Sequence, residues 1–225
     1  MSTPPNDLRD WRKRLRAELI ERRMALSAET LEQHRKSIDA SLERGFPNLH
    51  RGVVAMCWPF KNEYDPRYIA RGLRERGAKT ALPVVVAPKT PLLFREWHPG
   101  VKLVPGVYEI PYPVDSDELI PDYVLLPMNG FDQGGYRLGY GGGFFDRTLA
   151  SLSKRPVVIG VTYELASIET IYPQSYDIPM TYVVTERGIY RRDNDKLVFL
   201  GKPQDLSDAS KLSSPVCYQG DVPQA

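Results

Sequence analysis

Cysteine and histidine are scarce in this chain, two and three residues among 225. His34, His50 and His98 stand far apart, with no spacing that a zinc centre would use. Cys57 falls in an apolar run and Cys217 in a polar stretch, so a buried thiol and an exposed thiol are expected, not a disulfide; a cytoplasmic setting follows. The net charge is only +2, too small to make a field that draws nucleic acid. No apolar run reaches the length of a membrane span, and the opening MSTPPNDLRDWRKR lacks the apolar stretch of a secretory signal. Standard nucleotide motifs are missing too. A glycine-rich loop is present, but no GKS or GKT follows it, and GYGGG does not satisfy GxGxxG with a later acidic residue.

Proline is plentiful, 20 residues, and seven of the 17 glycines fall within residues 130–143. Residues 122–154 read as an apolar strand (123–128), then Gly130, Gly134, Gly135, Gly139, Gly141 and Gly142, then a helix entered at Gly143. Phe144, Phe145, Leu149 and Leu152 carry the helical spacing, and Asp146 lies in the first turn. Glycines let successive N–H groups turn toward one point, and a helix N-terminus adds unpaired N–H groups and its dipole. The product is an anion cradle, with the planar fork of Arg137 inside it. On spacing alone the same loop also reads as a flexible turn feeding a helix.

The remaining chain alternates helices and strands. Residues 1–6 form a lead. Leu8, Trp11, Leu15 and Leu19 stripe a helix over residues 7–26, with Arg12 and Arg16 four apart beside the stripe, either facing a ligand or solvated. Ser27 caps a second helix that closes at Gly45. Residues 52–58 form a core strand ending in WPFKNEYDP, which places Glu63 where open α/β sheets meet ligands; a surface loop carboxylate is the other reading. Asp65 and Pro66 open a third helix, and strands over 79–87 and 92–97 follow, antiparallel. Pro111 and Pro113 rule out regular ladder pairing and suggest an extended wall near Tyr108. Residues 156–163 form a strand that makes a right-handed parallel crossover with 123–128. A short helix or turn is expected at 165–171, Asp177 precedes a strand at 181–185, and a terminal hairpin turns at DND. Residues 7–200 are expected to make one domain, and 201–225 a polar, loosely ordered tail.

FDQGGYRLGYGGGFFDRTL resembles the signature of the 5-formyltetrahydrofolate cyclo-ligase (5,10-methenyltetrahydrofolate synthetase) family. The basic first helix, Glu63, the IPYP segment and VVTE fall in that family's order, and the likeness covers about residues 7–200. The resemblance implies a layered α/β/α fold with a mostly parallel central sheet, similar to the NagB/RpiA/CoA-transferase-like fold. It implies ATP-dependent closure of 5-formyltetrahydrofolate to 5,10-methenyltetrahydrofolate through a phosphorylated formyl group, with Mg²⁺ accompanying ATP. The implied nucleotide site is Arg12, Arg16, Arg137, Leu138, Gly139, Tyr140, Gly141, Gly142, Gly143, Phe144, Phe145 and Asp146. Arg137 is the implied catalytic group; Glu63, Tyr108 and Phe144 would meet the folate; Asp146 and Asp177 would hold the metal, although Asp146 can instead cap its helix. No nucleic acid or membrane partner is expected, and the chain is expected to be a monomer. The pattern is broken in three places: Phe144 and Phe145 replace tyrosines, Tyr140 and Gly142 stand where some members carry basic residues, and Met128–Asn129–Gly130 replaces a more apolar segment. The first of these breaks supports the alternative of a non-catalytic folate- or nucleotide-binding relative. An RNA-binding module is a weaker alternative, since no aromatic–basic interleaving is present.

Overall fold

The computed structural model describes residues 4–205. Its first helix, α1 (Leu8–Met24), begins where the Asp7 carboxylate accepts the Asp10 N–H at 2.9 Å. The second, α2 (Ala28–Gly45), is capped as expected, with Ser27 Oγ accepting the Thr30 N–H at 3.1 Å. There follow β1 (Val53–Met56), α3 (Arg67–Glu75), β2 (Lys79–Val84), β3 (Leu93–Trp97), β4 (Leu103–Pro105) and β5 (Pro111–Pro113). The second half comprises β6 (Tyr123–Pro127), β7 (Gly130–Asp132), β8 (Arg137–Leu138), α4 (Phe144–Ser151), β9 (Val157–Val161), β10 (Ser167–Ile168), β11 (Tyr182–Thr185), β12 (Gly188–Asp193) and β13 (Lys196–Gly201).

Eight strands form one sheet in the order β13-β12-β11-β9-β6-β1-β2-β3. The inner five, β11 to β2, are parallel; β3 and β12 run against them at either side, and β13 pairs antiparallel with β12 at the outer edge. Alternation along each central strand explains why both faces are covered. Val54, Met56, Leu125, Ile159, Val161 and Val184 face α2 and α3, against Ile38, Leu42, Ile69 and Leu73. Ala55, Val124, Leu126, Val158 and Val183 face the other way, toward Phe94, Phe131 and Leu149 of α4. A strand buried on both sides reads as a continuous apolar run, and those runs are what the sequence displays. A leucine such as Leu125, 1% exposed, should cost about 2–5 kcal/mol when cut to alanine.

A smaller sheet, β10-β7-β8, lies at one end, and α1 packs on it through Leu15 and Leu19 against Leu138 and Ile171. The hairpin β12–β13 turns at Asn194 and Asp195, both with positive φ, as the central residues of a type I′ turn require.

Three expectations need correction. Pro111 and Pro113 do pair: β5 forms an antiparallel ladder with β4, Leu103 opposite Pro113 and Pro105 opposite Pro111. The flanking bonds Gly106 N–H to Ile110 O and Val114 N–H to Lys102 O put both prolines, by register, at positions where no N–H is asked for. Second, the run of glycines is not one loop. Gly130 is in β7, and Gly134 and Gly135 turn the β7–β8 hairpin. Third, the expected tail starts too early: Gly201 pairs with Ile189, and a 3₁₀ turn spans residues 203–205. Residues 206–225, with Cys217, lie outside the described residues, as does the side chain of Tyr108.

Candidate functional site

Because β1 and β6 are parallel neighbours, the loops that leave their carboxyl ends meet at one edge of the sheet. Glu63 is on the loop after β1, and the glycine loop 139–143 is reached from β6 through the β7–β8 hairpin. Helix α1 lies over both. At 100° per residue, Arg12, Arg16 and Arg23 fall on one face of that helix, within about 40° of each other. Together they bind several distant segments of the chain. Arg12 donates to Ile171 O (3.0 Å), Tyr172 O (2.9 Å) and Asp177 Oδ2 (2.8 Å). Arg16 donates through Nε to Gly139 O at 2.5 Å. Arg23, almost wholly buried, donates to Lys61 O (2.8 Å), Met128 O (3.4 Å) and the Tyr140 hydroxyl (3.2 Å).

The glycine loop shows which amides are free. Gly134 and Tyr136 N–H both donate to Asp132 Oδ1 at 2.9 Å, and Gly135 N–H donates to Asp132 O. Those groups build the hairpin turn and are spent there. Among the described residues, the N–H groups of Tyr140, Gly141, Gly142 and Gly143 donate to no protein acceptor. Gly141 and Gly143 have φ of +91° and +62°, which a side chain would resist. Gly143 leads straight into α4, whose N-terminus has no side-chain cap. Two carbonyls of this loop, in contrast, are held by arginines: Arg16 holds Gly139 O and Arg147 holds Gly142 O at 2.6 Å. Neither guanidinium has a carboxylate partner among the described residues. Burial, with Arg12 nearby, disfavours the charge on Arg16 and lowers its pKa. A cation held in place with no counter-charge beside four free amides is an arrangement that suits an anion.

The expected metal carboxylates come together, each with an arginine. Asp146 Oδ2 pairs with Arg137 at 2.7 Å, and its Oδ1 accepts the Ile178 N–H at 3.0 Å. Arg137 also donates to Ile178 O at 3.1 Å. Asp177, the residue before Ile178, pairs with Arg12. Asp146 therefore ties α4 to the segment before β11 and does not cap its own helix. Leu138 points into the apolar cluster with Leu19, and Phe145 packs against the Leu149 cluster. Phe144 lies beside Gly142, with the Arg147 guanidinium 5.1 Å from its ring centre.

Glu63 is the buried carboxylate of the cleft, its side chain 4% exposed. Lys61 and Asn62 just before it both adopt positive φ without being glycine, and Arg23 braces that bend through Lys61 O. Glu63 Oε1 accepts the Tyr140 hydroxyl at 2.8 Å, Oε2 accepts the Phe60 N–H at 3.1 Å, and Arg23 Nη2 is 3.8 Å away. Burial pushes the carboxyl pKa up, while Arg23, Tyr140 and the Phe60 N–H pull it down. Cys57, just after β1, is half-buried, and desolvation with Glu63 nearby pushes its thiol pKa well up.

Two arginines of this site escape a local reading of the sequence. Arg23 was legible only as the third member of the 12–16–23 helical face, and Arg147 only as the neighbour of Asp146. Tyr140 was placed with the nucleotide, yet its hydroxyl reaches Glu63.

Known proteins share this arrangement of chain. The curated 5-formyltetrahydrofolate cyclo-ligase of Escherichia coli K12 is 29% identical over 177 residues, covering 76% of this chain and 97% of that protein. The one from Mycolicibacterium smegmatis is 30% identical over 176 residues, covering 70% and 91%. The NMR structure of Aquifex aeolicus 5,10-methenyltetrahydrofolate synthetase superposes with a TM-score of 0.70 at 26% identity, covering 84% of this chain and 97% of that one. The family description of 5-formyltetrahydrofolate cyclo-ligases matches residues 9–186, a span that takes in the arginine face of α1, Glu63, the glycine loop and Asp177. By that match this chain belongs to the 5-formyltetrahydrofolate cyclo-ligase family.

Proposed function

We propose that the cleft between α1, the glycine loop and Glu63 carries out the family's reaction in this chain. The protein is a ligase that closes 5-formyltetrahydrofolate to 5,10-methenyltetrahydrofolate using ATP. In the reading proposed, the formyl oxygen of the substrate attacks the γ-phosphorus and ADP leaves. The N10 amine then adds to the same formyl carbon and gives up its proton to solvent, and loss of phosphate leaves the methenyl bridge. Both nucleophiles belong to the folate, so the protein needs no serine, cysteine or histidine nucleophile. What it supplies is alignment and charge neutralisation, the main demands of phosphoryl transfer.

The free amides of residues 140–143 and the N-terminus of α4 would take the phosphates, with Arg16 and Arg147 beside them and Arg12 and Arg137 behind. Leu138 and Phe145, turned into apolar clusters, would contribute main chain only. The observation that carries this reading is Arg16, fixed on Gly139 O with no carboxylate partner among the described residues. Magnesium favours one or two carboxylates plus phosphate oxygens and water, and Asp146 and Asp177, linked through Ile178, fit that set. They would hold the ion, which when bound offsets phosphate charge. Glu63 would hold the pterin. A carboxylate has about four acceptor positions, and here two are used by Tyr140 and Phe60, leaving two for a pair of pterin N–H groups. Residues 7–200 would act as one catalytic unit.

Purified protein given 5-formyltetrahydrofolate and MgATP should develop the absorbance of methenyltetrahydrofolate and release ADP in equal amount. ATP binding without either product would instead mark a non-catalytic relative, the outcome that Phe144 and Phe145 in place of tyrosines would explain.

A further inference from the structure

The glycine loop and the buried carboxylate sit on different segments, 77 residues apart for Tyr140 and Glu63, yet one side chain joins them. The Tyr140 ring, half exposed at the lip of the cleft, rests against Phe60 with centroids 5.9 Å apart. Its hydroxyl donates to Glu63 Oε1 and accepts from Arg23 Nη2. Arg23 in turn holds the carbonyls of Lys61 and Met128. Tyr140 is flanked by Gly139 and Gly141, so nothing in its own segment holds its ring in place. Its position is set by what the loop does on one side and by Glu63 on the other.

We propose that Tyr140 is a positioning residue that couples the two binding events: its hydroxyl carries the order of the glycine loop to Glu63, so that each substrate tightens binding of the other. This rests on the assignment of Glu63 to the folate and of the loop to the nucleotide. The physical reason is shared ordering. Whichever ligand binds first fixes the loop and the Glu63 carboxylate together, and the second ligand meets a site already fixed. Such coupling is reciprocal, so the gain in affinity is the same whichever ligand is added first.

The test measures dissociation constants by calorimetry for a non-hydrolysable ATP analogue with and without saturating 5-formyltetrahydrofolate, and the reverse. Wild-type protein should show a ratio of about fivefold or more, the lower end of ordinary coupling. Tyr140→Phe keeps the ring against Phe60 and removes only the hydroxyl, and its ratio should fall toward one. In a Glu63→Gln background, adding Tyr140→Phe should change the ratio no further, because the path runs through the carboxylate. An unchanged ratio in Tyr140→Phe overturns the proposal. So does a parallel weakening of both ligands with the ratio kept, the mark of a merely structural tyrosine, and so does wild-type protein that binds the two ligands independently. Wild-type protein that binds neither ligand removes the underlying assignment of the cleft and this coupling with it.

Discussion

Arg12 and Arg16 are one helical turn apart and should respond to the same substitution in opposite ways. Arg12 makes three hydrogen bonds, one of them an ion pair with Asp177 in which the side chains are 16% and 13% exposed. Arg12→Met leaves that carboxylate with the Gln174 N–H alone. Breaking one side of a fully buried pair costs about 3–5 kcal/mol; with this partial exposure, about 3 kcal/mol is expected. Arg16 makes one bond, to Gly139 O, and its charge is disfavoured by burial and by Arg12. Losing a single hydrogen bond to a charged group costs about 1.5–3 kcal/mol, and removing an unfavourable charge offsets most of it. Arg16→Met should therefore lose under about 1 kcal/mol of stability, since the methionine stem keeps the packing. Its effect should fall on the nucleotide instead. One charge-assisted contact to phosphate, about 1.5–3 kcal/mol, corresponds to about 10- to 150-fold in Kd. Urea denaturation and ATP-analogue titration of both variants decide the matter. If Arg16→Met unfolds as readily as Arg12→Met while nucleotide affinity stays put, Arg16 is a structural residue and the proposed phosphate site is wrong.

Glu63→Gln should weaken folate binding by about 10- to 150-fold, leaving it saturable, and change the pH dependence of stability. Burial raises the Glu63 pKa in the folded state, so this group's favourable contribution is complete below the ordinary glutamate range and is lost as pH rises through the raised value. The variant should match wild type in acid and gain on it in melting temperature as pH climbs past that range; a constant offset at all pH values would contradict this. Gly141→Ala, at φ +91° and with its methyl 3.3 Å from Arg16 Nη2, should cost about 1–2 kcal/mol of backbone strain and weaken nucleotide binding more than it lowers the melting temperature. Gly72→Ala, mid-helix in α3 with nothing within 4 Å, should instead add about 0.5–1 kcal/mol in a denaturant titration. Chelating the proposed magnesium with EDTA should stop turnover without shifting the melting temperature, because Asp146 and Asp177 are already neutralised by Arg137 and Arg12.

What could be read from the sequence is what short-range physics controls. Ser27 and Gly45 bracket α2 because capping and chain reversal are local. The apolar runs at β1, β6 and β9 announced buried strands, and DND announced the last hairpin. The candidate residues Arg12, Arg16, Glu63, Arg137, Asp146 and Asp177 were all visible as types suited to phosphate, pterin or metal. Their partners were not. Arg12 meets Asp177 across 165 residues, and no periodicity encodes that meeting. The prolines of β5 show the converse: lacking a donor does not bar a residue from a ladder, because the register sets both prolines at positions where no donor is needed. Gly134 and Gly135 show a related limit, because a glycine count cannot separate a hairpin turn from a phosphate loop; the side chain of Asp132 makes that separation.

The arginine face of α1 has a further consequence for how the molecule is made. Its three clamps close on carbonyls at residues 61, 128, 139, 171 and 172, so most of its partners come from the second half of the chain. On a ribosome, where synthesis proceeds from the N-terminus, this first helix emerges long before its seats exist. The helix can thus dock only after those later segments have been made, a bolt that slides home once its seats are in place.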